Sequence, residues 1–547
     1  MRRLRPHSNH ARLAVVAGFW VFTAFVGFML IAAPAAPAGT TLHERGAVVV
    51  GGEPKYMVAD AAGSTLYVSD FAGGAVAVVD VATGLVQRRL PVPGGPVGLA
   101  LSADGATLYV VSYFGDAVYR FDTAGGRREA IAQGLGAPWD VLLVDAPGRG
   151  RLLAVTEHHS DAVAFLDPET LSRVATVPTT YYPYQMDVDP AAGVLYVISY
   201  GGYDGGQLEA VDLATLSRIW VRDTGEGSFD VRFDATNGVL VVGDFVGRTL
   251  SRVSLGGALL DTRSLAGSPK GLRLSPAGDL FAALQTTDQV ATYDPTSGAG
   301  RAVERVGSRP GALTWVPGAG GKATLAVANQ GDGTVSLLSP GDPVPEFTDV
   351  PLSHRFHREI RVLALRGALG GYQEAGATVF RPDDTLVRAQ LAKVLVAALG
   401  LHTDVVESAS VPFIDVPADM STYPFDYIQE ASRLGIVSGV TLDPPQFKPF
   451  QAVTRIQLAR MAVRAAGAVG SPLPVPEGSS PFWDIKSTDP DLRIIMAAYQ
   501  AGIVSGIPGA DGHLRFQPYA PATRGQTARI AFNLLGALHM SPADGAQ

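Results

Sequence analysis

The sequence contains no cysteine. That single absence excludes disulfides, thiolate metal sites, a cysteine nucleophile and a lipid-modified amino-terminal cysteine. Lysine is also scarce, supplying only six of the 43 basic residues. The formal net charge of −8 is mildly acidic and argues against a nucleic-acid partner. Beyond Ala33 no apolar run is long enough to span a bilayer. No G-x-S-x-G elbow, H-E-x-x-H helix or phosphate loop occurs. An enzyme whose site is assembled from scattered loops is not excluded by those gaps. No cofactor and no metal site are expected.

What the sequence does have is length and turns. Its 547 residues exceed what one hydrophobic core supports, so several domains are expected. The 63 glycines and 38 prolines suit a turn-rich β protein. At the amino terminus, Arg2, Arg3, Arg5 and Arg12 precede an uncharged run from Leu13 to Ala33, followed by Ala36 and Ala38 in A-x-A spacing. This predicts a signal peptide over 1–38. The run is also long enough for a retained membrane anchor. Either way, the remainder lies outside the membrane.

From residue 53 the chain repeats itself. Pro54, Pro96, Pro138, Pro183, Pro269 and Pro310 each open an apolar segment, with gaps of 42, 42, 45, 86 and 41 residues. The long gap holds one further unit around Ser228, which makes seven. Each unit reads as four short strands with Gly or Asp turns; the first runs "YMVAD", "TLYVSD", "AVAVVD", "LVQRRL". Four strands per unit of this length predict propeller blades. The seventh unit lacks a fourth strand, and residues 41–50 offer a spare one that would close the ring.

The strand segments "YVSD" (67–70), "YVVS" (109–112) and "YVIS" (196–199) resemble the YVTN-type β-propeller family over 41–341. The resemblance implies a fold and leaves function open. One face of the ring is predicted to gather Phe71, Tyr113, Phe114, His158, His159, Tyr200, Tyr203 and Phe245 from turns, and Trp139, Asp140, Tyr184, Gln185, Phe229 and Asp230 from blade-to-blade connections. Of these, Trp139, Asp140, Tyr184, Tyr200, Tyr203, Phe229 and Asp230 are the candidate ligand residues, since rings on one rim suit stacking. Adjacent His158 and His159 are expected to point to opposite sides and so not to chelate one ion.

After a Pro-rich linker at 342–346 the texture becomes helical. An arginine recurs at a helix start, in "LVRAQLAKV" (386–394), "AVTRIQLAR" (452–460) and "ATRGQTARI" (522–530), with Gln390, Gln457 and Gln526 at capping-box spacing. Each is preceded by F-x-D and F-x-P segments. Three such units resemble S-layer homology (SLH) domains at 347–401, 411–468 and 480–540. The resemblance implies binding to a secondary cell-wall polymer, pyruvylated in many family members, or to a peptidoglycan-linked glycan. It further implies groove roles for Arg388, Arg455, Arg524, Tyr423, Ser438 and Ser505. A helix start offers free N–H groups and partial positive charge, and arginine adds a bidentate donor for a carboxylate. Asp349, Asp415 and Asp484 are expected to brace the fold.

The expected architecture is multidomain: an all-β seven-bladed propeller plus a mainly α-helical SLH triplet. The expected protein is a secreted bacterial surface protein of the cell wall or S-layer. Its triplet holds wall polymer, and its propeller is a binding or structural module with an unidentified ligand. No membrane contact is expected after signal cleavage. The alternative is a wall-tethered propeller enzyme, hydrolase or lactonase-like.

Overall fold

The computed structural model describes residues 41–538 except 276, 295, 319–322, 341–345, 402–411, 417–424 and 443. The leader at 1–38, Tyr423 and all of the linker but Glu346 lie outside the described residues. Among the described residues no helix is long and apolar enough to cross a membrane.

Seven four-stranded antiparallel sheets make a seven-bladed β-propeller. Innermost strands begin at Pro54, Pro96, Pro138, Pro183, Ser228, Pro269 and Pro310. In every one, pairing with the next strand slips immediately after the first residue. Such a bulge bends the strand and re-aims the side chains beside it. Proline suits the first position, where a missing N–H costs the ladder nothing. The seventh sheet takes its outer strand from the opposite end of the chain. Strand β1 (Leu42–Val49) pairs antiparallel with Thr334–Pro340, from Leu42 opposite Pro340 to Val49 opposite Thr334.

Among the described residues the carboxy-terminal region holds six helices: α1 (His357–Leu365), α2 (Arg388–Ala398), α3 (Phe425–Arg433), α4 (Arg455–Ala468), α5 (Leu492–Gln500) and α6 (Arg524–Ala537). A short hairpin separates the two helices of each unit, at 372–379, 441–446 and 507–515. Periodicity did not disclose these hairpins, because two or three residues per strand are too few to show it. Helices pack across units, α2 on α3, α4 on α5 and α6 on α1. At the centre Leu386 N–H donates to Ala522 O, Ala522 N–H to Val453 O, and Val453 N–H to Leu386 O, at 3.1, 2.8 and 2.9 Å. Three hydrogen bonds thus close a ring around a pseudo-threefold axis.

The propeller and the helical region share one dock. The end of strand β1 and the residue after it are apolar on both faces: Val48 and Val50 belong to the propeller core, while Ala47 and Val49 belong to the core of the helices. Alternation of period two sends neighbours to opposite sides. Arg361 on α1 donates Nε and Nη2 to Glu44 Oε2 at 3.0 and 2.6 Å. Arg366 reaches the carbonyls of Ala47, Thr83 and Gly84 at 2.9–3.1 Å. The helical region is therefore seated on the outer edge of the seventh blade.

Candidate functional site

On the propeller, rings run unbroken from the first blade to the fifth. The path is Phe71, Phe114, Tyr113, Trp139, Tyr184, Phe229 and Phe245, with successive centroid distances of 5.7, 5.0, 5.4, 4.7, 4.4 and 6.2 Å. Tyr200 joins at 5.5 Å from Tyr184. Tyr203 stands apart, 82 % exposed, on a short 3-10 turn.

Trp139, Asp140, Tyr184, Gln185, Phe229 and Asp230 are not in blade-to-blade connections. They are the second and third residues of innermost strands, carried there by the bulge. Asp140 and Asp230 are buried and occupied. Asp140 accepts from Val141 N–H at 2.9 Å and from Met186 N–H of the next blade at 3.0 Å. Asp230 accepts from Leu272 N–H, also one blade on, at 2.6 Å, and from Arg232 at 3.1 Å. These carboxylates are staples between blades. Burial still pushes them up, to about 7 for Asp140 and about 6 for Asp230.

His158 and His159 do not diverge. Both sit in a turn rather than a strand, and Tyr113 Oη lies 3.4 Å from His158 Nδ1 and 3.2 Å from His159 Nε2. Burial lowers His158 to about 4, helped by the neighbouring His159. Among the described residues no group of three or more His, Asp or Glu is placed to hold a metal.

In the helical region the repeated arginines turn inward. Arg388, Arg455 and Arg524 are 4 %, 7 % and 5 % exposed. Each clamps the next unit around the ring. Arg388 donates to Phe447 O and Ser438 O at 2.7 and 2.8 Å. Arg455 donates to Phe516 O and Ser505 O at 2.7 and 3.2 Å. Arg524 donates to Phe380 O and Gly370 O, both at 2.8 Å, and to Tyr372 Oη at 3.2 Å. Each guanidinium also lies over the phenylalanine whose carbonyl it binds, 4.4–5.2 Å from the ring centre.

The first N–H groups of these helices are not free either. Arg388, Arg455 and Arg524 donate their backbone N–H to Gln451, Ala520 and Asp384 O, at 2.8–3.0 Å. The expectation of open helix-start donors is corrected by this geometry: the neighbouring unit's loop has taken them. Gln390, Gln457 and Gln526 accept from the N–H three residues earlier at 3.1–3.3 Å, completing half of each capping box. In the first unit Val387 stands at the cap, and neither Asp384 nor Thr385 replaces it.

What remains exposed beside each clamp is a rim where two units meet. Ser438 and Ser505 are exposed beside the arginine that binds their own carbonyl. Phe450 and Tyr519, next to the F-x-P loops, are 70 % and 79 % exposed. The third rim differs: Asp383 replaces the exposed ring, and Tyr372 takes the outer corner of Arg524.

The S-layer homology domain family model matches residues 412–459 and 481–528, in the second and third units. An endoglucanase of Bacillus sp. (strain KSM-635) is 34 % identical over 160 residues, which is 29 % of this chain and 16 % of that protein. An amylopullulanase of Thermoanaerobacterium thermosulfurigenes is 29 % identical over 177 residues, 32 % of this chain and 9 % of that one. The exoglucanase XynX of Acetivibrio thermocellus is 28 % identical over 177 residues, 32 % and 15 % of the two chains. The chain thus spans under a fifth of each of these relatives. Among solved structures, hydrazine synthase of Kuenenia stuttgartiensis aligns with a TM-score of 0.47 at 19 % identity, covering 53 % of this chain and 96 % of that one. The β-propeller domain of Swd1 from Myceliophteria thermophila aligns at 0.47 and 16 %, covering 55 % and 100 %. The carboxy-terminal region contains S-layer homology domains, modules of cell-surface association, beside a seven-bladed β-propeller.

Proposed function

We propose that this chain is an exported bacterial surface protein. Three SLH domains, the first at 347–401, hold it to a secondary cell-wall polymer, and a YVTN-type propeller is displayed as a ligand-binding module. The observation that carries the reading is the closed threefold ring, in which the unit at 347–401 makes the same contacts as the two matched units. The matched length in three relatives of different printed activity, 160–177 residues, suits a shared anchoring region. Engagement of Asp140 and Asp230 in blade-to-blade bonds favours binding over a hydrolytic propeller.

The arginines serve the anchor in two ways. They fix the Ser438 and Ser505 backbones at the groove rims. Nη1 of Arg388 and of Arg455, which has no protein acceptor among the described residues, offers a charged donor for a polymer carboxylate such as a pyruvyl ketal. Arg524 lacks that spare corner, so the first two grooves are the stronger.

Binding of purified wall polymer by variants of exposed residues tests the reading, because changing a buried clamp confounds binding with folding. Replacing Ser438 and Phe450, or Ser505 and Tyr519, by alanine is expected to weaken sedimentation with polymer about tenfold per groove. Asp383→Ala is expected to change little. Unchanged binding in a folded chain carrying all four alanines overturns the anchor reading.

A further inference from the structure

The top of the propeller channel is divided by chemistry. At the residue just after each innermost strand's start, blades three to five carry Trp139, Tyr184 and Phe229, while blades six, seven and one carry Lys270, Gly311 and Lys55. Lys270 is half-buried, its Nζ 3.0 Å from the centre of the Phe229 ring and 5.2 Å from that of Phe245. Among the described residues it has no carboxylate or carbonyl partner. Lys55 Nζ lies 2.7 Å from Glu53 Oε1, and Arg309 Nη2 lies 3.9 Å from the same oxygen. Three cations at this mouth therefore share one carboxylate. Burial and the charges of Lys55 and Arg309 push the Lys270 pKa well down, the mark of a cation short of a counter-ion. Between the two lysines Gly311 adds no side chain, and the Gln330 amide packs over it, 2.3 Å from where a Cβ would stand.

Resting on the reading that this face binds a ligand, we propose that the channel mouth is a site for an acidic saccharide. Its carboxylate lies among Lys270, Lys55 and Arg309, and its ring stacks on Trp139 and Tyr184. A half-buried ammonium with no carboxylate beside it is costly, and an incoming carboxylate removes that cost through a charge-assisted bond. The adjoining aromatic rings supply the apolar faces on which a pyranose packs. On a chain held among wall glycans, a ring bearing a carboxylate is a uronic-acid-type residue.

Calorimetric titration of the full secreted chain with trigalacturonate and with neutral cellotriose tests the site. The acid is expected to bind at least tenfold more tightly than the neutral sugar. Lys270→Met and Lys55→Met are each expected to weaken acid binding about tenfold. Trp139→Ala should weaken both sugars, and thermal melting identifies any variant that fails to fold. Equal affinity for both sugars, or acid binding unchanged in both lysine variants, overturns the proposal while leaving a top-face site standing. Acid binding lost only in the Phe450→Ala, Tyr519→Ala chain moves the site to the helical region and also overturns it. So does the absence of binding by either sugar.

Discussion

Asp140 and His158 belong to the same blade and are biased in opposite directions by the same cause. Burial raises the Asp140 carboxyl to about 7 and lowers His158 to about 4. A raised carboxyl means that the folded chain keeps a proton the unfolded chain has released. Its contribution is present at low pH and is lost as pH rises from about 4 toward 7. A lowered histidine means that the unfolded chain gains a proton the folded chain refuses, so its contribution is lost as pH falls from about 6.5 toward 4. The two slopes oppose each other across one window, and Asp230, at about 6, adds to the first. In calorimetric scans between pH 4 and 7, His158→Asn is expected to make the melting temperature fall more steeply with pH than in the parent. Asp140→Asn is expected to flatten or reverse that fall. Parallel curves for all three chains would show that these groups titrate alike in the folded and unfolded states.

At the scale of the element, the three F-x-P loops are held by one device. Asp349, Asp415 and Asp484 each accept two consecutive backbone N–H groups of the loop in their own unit, at 2.6–2.7 Å. The second donor is Arg381, Lys448 or Gln517, each with φ between 55° and 59°. An L-residue there is strained, and the carboxylate holds it in place. Asp415→Ala should cost about 3 kcal/mol by loss of charge-assisted bonds. Lys448→Gly should gain about 0.5 kcal/mol, relief of strain slightly outweighing the added freedom of the unfolded chain. Denaturant unfolding followed at the helical signal measures both. The bracing aspartates were legible because F-x-D recurs in register with F-x-P. The destination of the arginines was not. Arg455 finds its acceptors at Ser505 and Phe516, in another unit, and nothing local to "TRIQ" signals burial of a residue type that normally stays exposed. The blades were legible from proline spacing and period-two patterning. The placement of Trp139 and Asp140 was not, since a bulge adds one residue without leaving a mark in composition.

At the scale of the whole molecule, β1 joins two things the sequence presented as separate. The run "AVVV" at 47–50 is apolar at every position because each face of the strand is covered, one by the propeller and the other by the helices. The Pro-rich linker at 342–346 separates the two along the sequence and by itself leaves their orientation open. The dock fixes the orientation instead, through Arg361 on Glu44 and Arg366 on three carbonyls. Deleting residues 41–50 is therefore expected to do more than open the ring. Hydrogen exchange should quicken in α1 and α6 as well as in Thr334–Pro340, and the main calorimetric transition should move down. Protection in the helices equal to the parent's would show that they do not depend on the strand. The pairing of Leu42 with Pro340 also sets a clock. Of the described strands, the first to be synthesised must wait for the last blade before it has a partner, and contacts so distant along the chain form slowly. Until then the nascent polypeptide has no closed ring to resist threading, so a chain passed through a narrow translocation pore from its amino end meets that pore before its most stable architecture exists.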